Sequence, residues 1–188
     1  ARGLPGMMSA VFECSLNMLK VNFTDFPDLR LAFYEMLEAI VTFQFPALLQ
    51  IAASSAEQFK LVVDSIVWGL KHSERNVAER ATRTLVALWK NVETGPPDFA
   101  GAFYGTYLTS IVQDTLFVMA DSMHKSSFKE HAQILHMIFR AVAAGKVRVP
   151  LRAGGNSPDG NVAALQQFLA QLLSRLPTLS PRDVQQLA

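Results

Sequence analysis

Residues 74–92 have the sequence ERNVAERATRTLVALWKNV, and this stretch decides the fold class. Apolar side chains recur through it at intervals of four, four, three and four residues, at Val77, Ala81, Leu85, Leu88 and Val92. An α-helix turns once every ~3.6 residues, so this spacing aligns the five side chains on one face. Charged or polar residues occupy most of the other positions. The pattern predicts a helix that buries a narrow apolar stripe against its neighbours.

The same helical period continues on both sides of this stretch, and the alternation typical of strands is nearly absent. Proline, glycine and serine separate the periodic segments, and Pro46 should break or restart the second of them. Eight helices are predicted, at about residues 7–19, 27–43, 55–70, 74–92, 98–121, 127–144 and 161–176 and from 181 onward. The short connections between them favour antiparallel hairpins.

An internal spacing sharpens this prediction. Phe12, Phe59 and Phe103 lie near the starts of the first, third and fifth helices, 47 and 44 residues apart. Helix pairs that repeat every ~40–47 residues are the size of HEAT or armadillo units, which stack because one pair cannot bury its apolar face alone. We therefore predict an all-α HEAT-repeat α-solenoid, with an eight-helix bundle as the alternative.

The predicted solenoid contains about three and a half antiparallel hairpins and is monomeric. The hairpins are expected at about residues 7–50, 55–93, 98–145 and 161–188, with a flexible loop at 146–160. Odd-numbered predicted helices should form one layer, and even-numbered helices should form the other. Trp68 and Trp89 end long apolar stripes on consecutive helices, so both are expected inside the stack.

The residues that carry catalysis or bind cofactors do not occur in recognisable patterns. Cys14 is the single cysteine, and His131 and His136 are five residues apart, which places them on different sides of a helix. We therefore expect no enzyme activity, no metal and no cofactor. Glu35 and Glu38 could serve as the acid and base of a small helical hydrolase, but a solvated helix face is favoured.

Two classes of partner are disfavoured by charge and hydropathy. The net charge is +1, and the arginines of residues 74–92 alternate with glutamates, which cancels the long-range field that attracts a nucleic acid backbone. No apolar run approaches the ~18 residues that a membrane-spanning helix needs. We therefore expect direct binding neither to nucleic acid nor to a membrane.

One stretch carries a more specific signal. Residues 58–72, QFKLVVDSIVWGLKH, followed by Arg75-Asn76-Val77-Ala78, strongly resemble the C-terminal part of nuclear export receptors of the karyopherin-β family. Three other stretches resemble that part in the same order: FECSLNM at 12–18, FYGTY at 103–107 and HAQIL at 131–135. The similarity spans about residues 11 to 176.

The resemblance implies a HEAT-repeat superhelix from a shuttling receptor of the nucleus and cytoplasm. Such exportins carry proteins with leucine-rich export signals through the nuclear pore, together with Ran-GTP and in contact with nucleoporins. This chain looks like a piece of a longer receptor, with late structural repeats close to Ran and without the cargo groove. Cys14 does not match the reactive cysteine of that groove. The alternative is a HEAT-repeat scaffold with no transport role.

The resemblance also implies which helices approach Ran. Second-layer helices line the concave face in this family, and here these are the predicted helices at about 27–43, 74–92 and 127–144. The candidate partner-facing residues are their polar side chains, Arg30, Glu35, Glu38, Asn76, Glu79, Arg83, Glu130, Gln133 and Arg140. Periodicity identifies these residues as polar but does not identify their contacts, so simple exposure to solvent is the alternative for each of them.

Overall fold

Helices connected by short turns make up most of the computed structural model, which describes residues 27–121, 126–151 and 160–175 together with Gly3, Gly6 and Ala10. The helices are α1 (Pro27–Phe43), α2 (Phe45–Ser54), α3 (Ala56–Gly69), α4 (Arg75–Thr94), α5 (Pro97–Ala120), α6 (Phe128–Ala143) and α7 (Asn161–Leu173). None of these described residues forms a strand. The predicted helices at about 7–19 and from 181 onward lie outside the described residues.

The predicted interruption near Pro46 separates α1 from α2. Gln44 lies between the two helices, and α2 begins at Phe45 with Pro46 in its first turn, where a missing N–H is tolerated. The two helices are bent by 97° relative to each other. Within the described ranges, no single helix is long and apolar enough to cross a membrane, although this bent pair meets the length and composition criteria when taken together.

Helices α1, α4 and α6 pack side by side and form one layer. The Asn91 side-chain amide of α4 donates to the Val41 carbonyl of α1 at 2.7 Å. On the opposite side of α4, the Thr82 hydroxyl lies 3.2 Å from Nε2 of His131 on α6. Because Thr82 also donates to the Ala78 carbonyl at 2.7 Å, it accepts from the histidine, whose Nε2 therefore carries the proton.

Helices α3, α5 and α7 form the other layer. Phe59 of α3 packs edge-on against Phe99 and Phe103 of α5, with ring centroids 5.4 and 6.5 Å apart. Side chains of α5 and α7 line a shared surface groove that includes Leu116 and Leu172. The two layers, built from helices that alternate along the chain, confirm the predicted all-α HEAT-repeat solenoid.

Helix α4 carries the centre of the core. The five residues of its predicted stripe, from Val77 to Val92, are all 0% exposed. Trp89 is also 0% exposed, and its ring packs 5.1 Å from that of Tyr104 and 6.1 Å from that of Phe103. The stripe was therefore identified correctly from its period, and α4 additionally contacts α1, α3, α5 and α6.

Local signals in the sequence set several helix boundaries. The Ser55 hydroxyl accepts from the Gln58 backbone N–H at 3.2 Å and caps α3. Gly145 adopts φ +66° after α6, the left-handed conformation that glycine favours at a helix end. Asn161 is the first residue of α7, and its side chain holds the segment that precedes the helix. The amide nitrogen donates to the Val147 and Val149 carbonyls, and the amide oxygen accepts from the Leu151 N–H, each at 2.9 Å.

Close approach of α3 to the other layer depends on Gly69. A Cβ at this position would lie 2.5 Å from the Tyr34 ring and 2.6 Å from the Ala81 methyl group. The Tyr34 hydroxyl donates to the Ser65 carbonyl at 2.8 Å, which prevents the ring from moving aside. The missing side chain therefore allows α3 to contact α1 and α4 directly.

Gly69→Ala should destabilise the chain by roughly 1–3 kcal/mol, the usual cost of overpacking, although alanine is the better helix former. Ala81→Gly removes one of the two opposing groups. We therefore expect the double variant to lose at least about 0.5 kcal/mol less than the sum of the two single losses, as for other contacting residues. Urea unfolding of the four proteins measures this coupling, and strictly additive losses would contradict the proposed close approach.

The two tryptophans differ, and the expectation for Trp68 is wrong. Trp89 is fully buried, whereas Trp68 is 45% exposed and packs edge-on against His72 with ring centroids 5.5 Å apart. Successive residues of a helix are ~100° apart, so Trp68 lies about 200° around α3 from the buried Ile66. Phe59, Ile66 and Leu70 already fill the buried face, which leaves Trp68 on the outer side.

Trp89→Ala should lower the free energy of unfolding by roughly 3–5 kcal/mol, since it removes a large side chain from a closed core. Trp68→Ala serves as a control of the same chemistry. It should cost about 1 kcal/mol or less, because nearly half of the side chain is already in solvent. Equal losses in urea titrations of the two variants would contradict the burial described above.

Candidate functional site

The solvent-facing side of α1, α4 and α6 is called the second-layer face here, and it carries most of the predicted partner-facing residues. Its first contact joins α1 to α4. Nη1 of Arg80 lies 2.7 Å from a Glu38 carboxylate oxygen, and Nη2 lies 3.2 Å from Glu35. Arg83 approaches the second Glu38 oxygen at 3.5 Å. Two carboxylates of α1 therefore share one guanidinium of α4.

This arrangement decides between two interpretations of Glu35 and Glu38. In a hydrolase, the two carboxyl groups would face a space where a substrate could lie. Here both contact Arg80, which forms an ion-pair network between neighbouring helices. In addition, no group of three or more His, Cys, Asp or Glu residues within the described part of the chain could hold a metal ion.

Further along α4, Glu79 is held within its own helix. Nε of Arg75 donates to a Glu79 carboxylate oxygen at 2.6 Å, one turn away. This hydrogen bond, with smaller contributions from nearby charges and from the Ser126 hydroxyl, lowers the pKa of Glu79 below its usual value. Glu79 is therefore ionised at neutral pH, and both Arg75 and the Ser126 hydroxyl stabilise its carboxylate.

A cleft of about 140 Å³ separates α4 from the start of α6. Glu79, Arg83, Ser126, Ser127 and Glu130 line it. Ser126 and Ser127 form the turn that leads into α6, and Glu130 lies in the first turn, where a negative charge favours the helix dipole. Because the cleft opens on the second-layer face, polar side chains from two helices can meet the same group there.

The far end of α6 carries a second charge cluster. The Glu93 side chain is only 10% exposed, and Nζ of Lys146 contacts it at 2.6 Å. Nη2 of Arg140 lies 3.6 Å from the same oxygen. Arg140 itself is 59% exposed at its side chain. This cluster therefore ties α6 and the following loop to the end of α4 while leaving much of Arg140 accessible.

Arg30 differs from the other candidates because it is buried. It is 3% exposed, forms a 3.0 Å ion pair with Glu74 and lies 3.3 Å from Nε2 of His72. The Glu74 backbone N–H in turn donates to Nδ1 of His72 at 2.9 Å. Arg30 thus fixes the turn between α3 and α4 from the inside, and the expectation of an accessible side chain is corrected for this residue.

Asn76 and Gln133 are exposed, on α4 and α6 respectively, and neither side chain has a hydrogen-bond partner in the described part of the chain. Sequence reasoning missed Arg80, which pairs with both Glu35 and Glu38 of α1. The available signal was its position beside the apolar stripe. Its two partners, however, depend on how α1 and α4 are aligned, and periodicity within one helix does not determine that alignment.

The two helical layers, one of which carries the charged second-layer face, can be compared with known protein families. A family model described as CRM1 C terminal matches residues 1–188, the whole chain. The chain belongs to the CRM1 C-terminal family. This assignment confirms the resemblance first seen in residues 58–72 and extends it to both ends of the sequence.

Relatives of this CRM1 C-terminal chain come from distant organisms. It is 38% identical to EXPORTIN 1B of Arabidopsis thaliana and 39% identical to Exportin-1 of Schizosaccharomyces pombe, in each case over 97% of its length. Identity to Exportin-1 of Drosophila melanogaster is 41% over 90% of its length. The chain spans only 15–17% of these relatives, so their complete activity extends well beyond the residues described here.

Arg80→Met should destabilise the CRM1 C-terminal chain by roughly 1–3 kcal/mol, because it leaves two carboxylates of α1 without their shared partner. Arg75→Met is the matched control. Arg75 is 73% exposed and forms only a pair within α4, so its loss should cost about 0.5 kcal/mol or less. Thermal unfolding at low and high salt measures both, and an Arg80 effect as small as that of Arg75 would contradict the network's role.

Proposed function

We propose that this chain forms late repeats of a nuclear export receptor that carries proteins with leucine-rich export signals out of the nucleus together with Ran-GTP. The observation that carries the proposal is 38–41% identity to exportins of three organisms over 90–97% of the chain. The helical solenoid is consistent with it, because stacked helix pairs create the long concave surfaces on which such receptors bind partners.

Within that receptor, the role proposed for these repeats is structural and Ran-proximal rather than cargo-binding. The second-layer face is the surface proposed to approach Ran. Contacts with nucleoporins, and shuttling between nucleus and cytoplasm, follow from the same proposal for the complete receptor. No catalytic role is proposed, because the pair of carboxylates with that potential is engaged by Arg80.

The structure changes how the face should be tested. Replacing Glu38 or Glu79 with lysine would break ion pairs to Arg80 or Arg75 and would place positive charges side by side. A loss of binding could then come from a disturbed fold. Asn76 and Gln133 are better positions, because both are exposed and neither is engaged in the described part of the chain. A lysine there adds charge without removing a contact.

The test uses the complete receptor carrying Asn76→Lys and Gln133→Lys, with immobilised Ran in its GTP and GDP forms. The unmodified receptor should prefer the GTP form. If Ran presents a basic surface here, the variant should associate several-fold more slowly at low salt, and the difference should shrink as salt rises. Gln166→Lys and Gln167→Lys on α7 add the same charge to exposed positions of the other layer and should leave association unchanged.

Two results would count against the proposal in different ways. A receptor that captures both nucleotide forms of Ran equally, or neither, would favour the alternative of a HEAT-repeat scaffold without a transport role. A receptor that prefers Ran-GTP but shows the same association rate in the second-layer variant and the α7 control would place Ran on another surface. Melting temperatures of the variants, expected to lie close together, control for folding.

A further inference from the structure

Four basic side chains lie where α4 and α6 end. Arg140 and Lys146 both contact the Glu93 carboxylate, whose side chain is only 10% exposed. Lys90 lies one turn before Glu93 on α4, and Arg148 follows Lys146 by two residues. Both are exposed, and neither forms an ion pair within the described residues. These four residues, Lys90, Arg140, Lys146 and Arg148, are called the basic rim.

The acids at the adjoining helix ends leave the basic rim with a positive surplus. Glu93 near the end of α4 is shared by two of the cations. Asp98 lies in the first turn of α5 and forms no ion pair with the basic rim. Four cations against these two carboxylates leave two positive charges unmatched. An anion that reaches this end of the molecule therefore meets more positive than negative charge.

The backbone that carries half of the basic rim is held in place. The Lys146 N–H donates to the Ala141 carbonyl of α6 at 3.0 Å. Val147 is 2% exposed, and its carbonyl accepts from the Asn161 side chain at 2.9 Å. Lys146 and Arg148 therefore lie on either side of a buried residue and are exposed on a fixed backbone. A segment fixed in this way loses little conformational freedom when a partner binds, which lowers the cost of binding.

We propose that the basic rim binds an acidic peptide segment of a partner protein. The guanidinium groups of Arg140 and Arg148 match a carboxylate with two parallel hydrogen bonds, and the lysines add compact positive charges. A nucleic acid is disfavoured, because its closely spaced phosphates suit a longer basic track than four side chains with carboxylates among them. The inference goes beyond the proposed function and requires no contact with Ran.

The test uses the complete receptor and a fluorescent oligoglutamate peptide, with oligoglutamine as the neutral probe. Lys90→Gln together with Arg148→Gln removes two charges that have no partner in the described part of the chain. This variant should bind oligoglutamate about fivefold more weakly at low salt, and the difference should shrink as salt rises. Oligoglutamine should bind neither protein.

The matched control makes the same chemical changes at the opposite ends of the helices. Lys129→Gln and Arg175→Gln remove one lysine and one arginine charge at exposed positions, at the start of α6 and just past the end of α7. This variant should bind oligoglutamate as the unmodified receptor does. Melting temperatures of both variants should stay close to that of the unmodified receptor, because all four side chains are exposed.

A second measurement locates the bound peptide. Oligoglutamate should slow the acetylation of Lys90 and Lys146 by a lysine-reactive reagent several-fold, whereas acetylation of Lys129 should continue at the same rate. Mass spectrometry of the labelled peptides measures each lysine separately. Because this readout uses the unmodified receptor, it does not depend on the folding of any variant.

Three results would overturn the inference. Equal losses in the rim and control variants would mean that only the total charge of the receptor matters. Unchanged binding in the rim variant, or equal protection of Lys129 and Lys146, would place the peptide elsewhere. Single-stranded DNA that protects Lys90 and Lys146 at lower concentration than oligoglutamate would make the rim a nucleic acid site instead. None of these results affects the proposed function, which depends on the preference of the receptor for Ran-GTP.

Discussion

Helix α4 is the element around which the other helices are arranged. Its apolar stripe is wholly enclosed, and it contacts helices of both layers as well as its sequential neighbours. Because most of α4 is buried against its neighbours, its exposed polar residues occupy only a narrow band of the helix surface. That band is the centre of the second-layer face. The burial of α4 therefore determines both how the layers pack and which charged groups reach the partner surface.

The ion pairs of that band have a further effect on the surface. Arg75, Arg80 and Arg83 alternate with carboxylates contributed by α1 and by α4 itself. A partner approaching this face meets charges that are already paired, so its selectivity must come from the few groups that are not. Glu130 is such a group, because it has no ion-pair partner in the described part of the chain.

Periodicity was sufficient for the fold because it reports directly on burial. The apolar residues of the stripe from Val77 to Val92 lie on a single face of the helix. Residue spacing alone therefore identifies which side chains are buried. Trp68 shows where this reasoning fails. A large apolar residue beside an already filled stripe can lie on either side of the helix, and only the packing of α3 against α1 and α4 decides the outcome.

Predictions for the site were less complete because ion pairs depend on the alignment of different helices. The sequence identified Glu35 and Glu38 as polar, but only the packing of α1 against α4 brings both to Arg80. The burial of Arg30 has the same origin. A guanidinium near the start of a helix is usually exposed, and here the turn before α4 folds over it, with Glu74 and His72 as its partners.

The junction at Asn161 bears on the mechanics of the superhelix. One amide side chain makes three hydrogen bonds to the backbone of the segment between α6 and α7. Apolar contacts between helices allow small sliding motions at little cost, whereas directional bonds to a single amide break together once the backbone shifts by about an ångström. This junction should therefore resist twisting as a rigid coupling, and elastic bending of the solenoid would be concentrated between layers that are joined by side-chain packing alone.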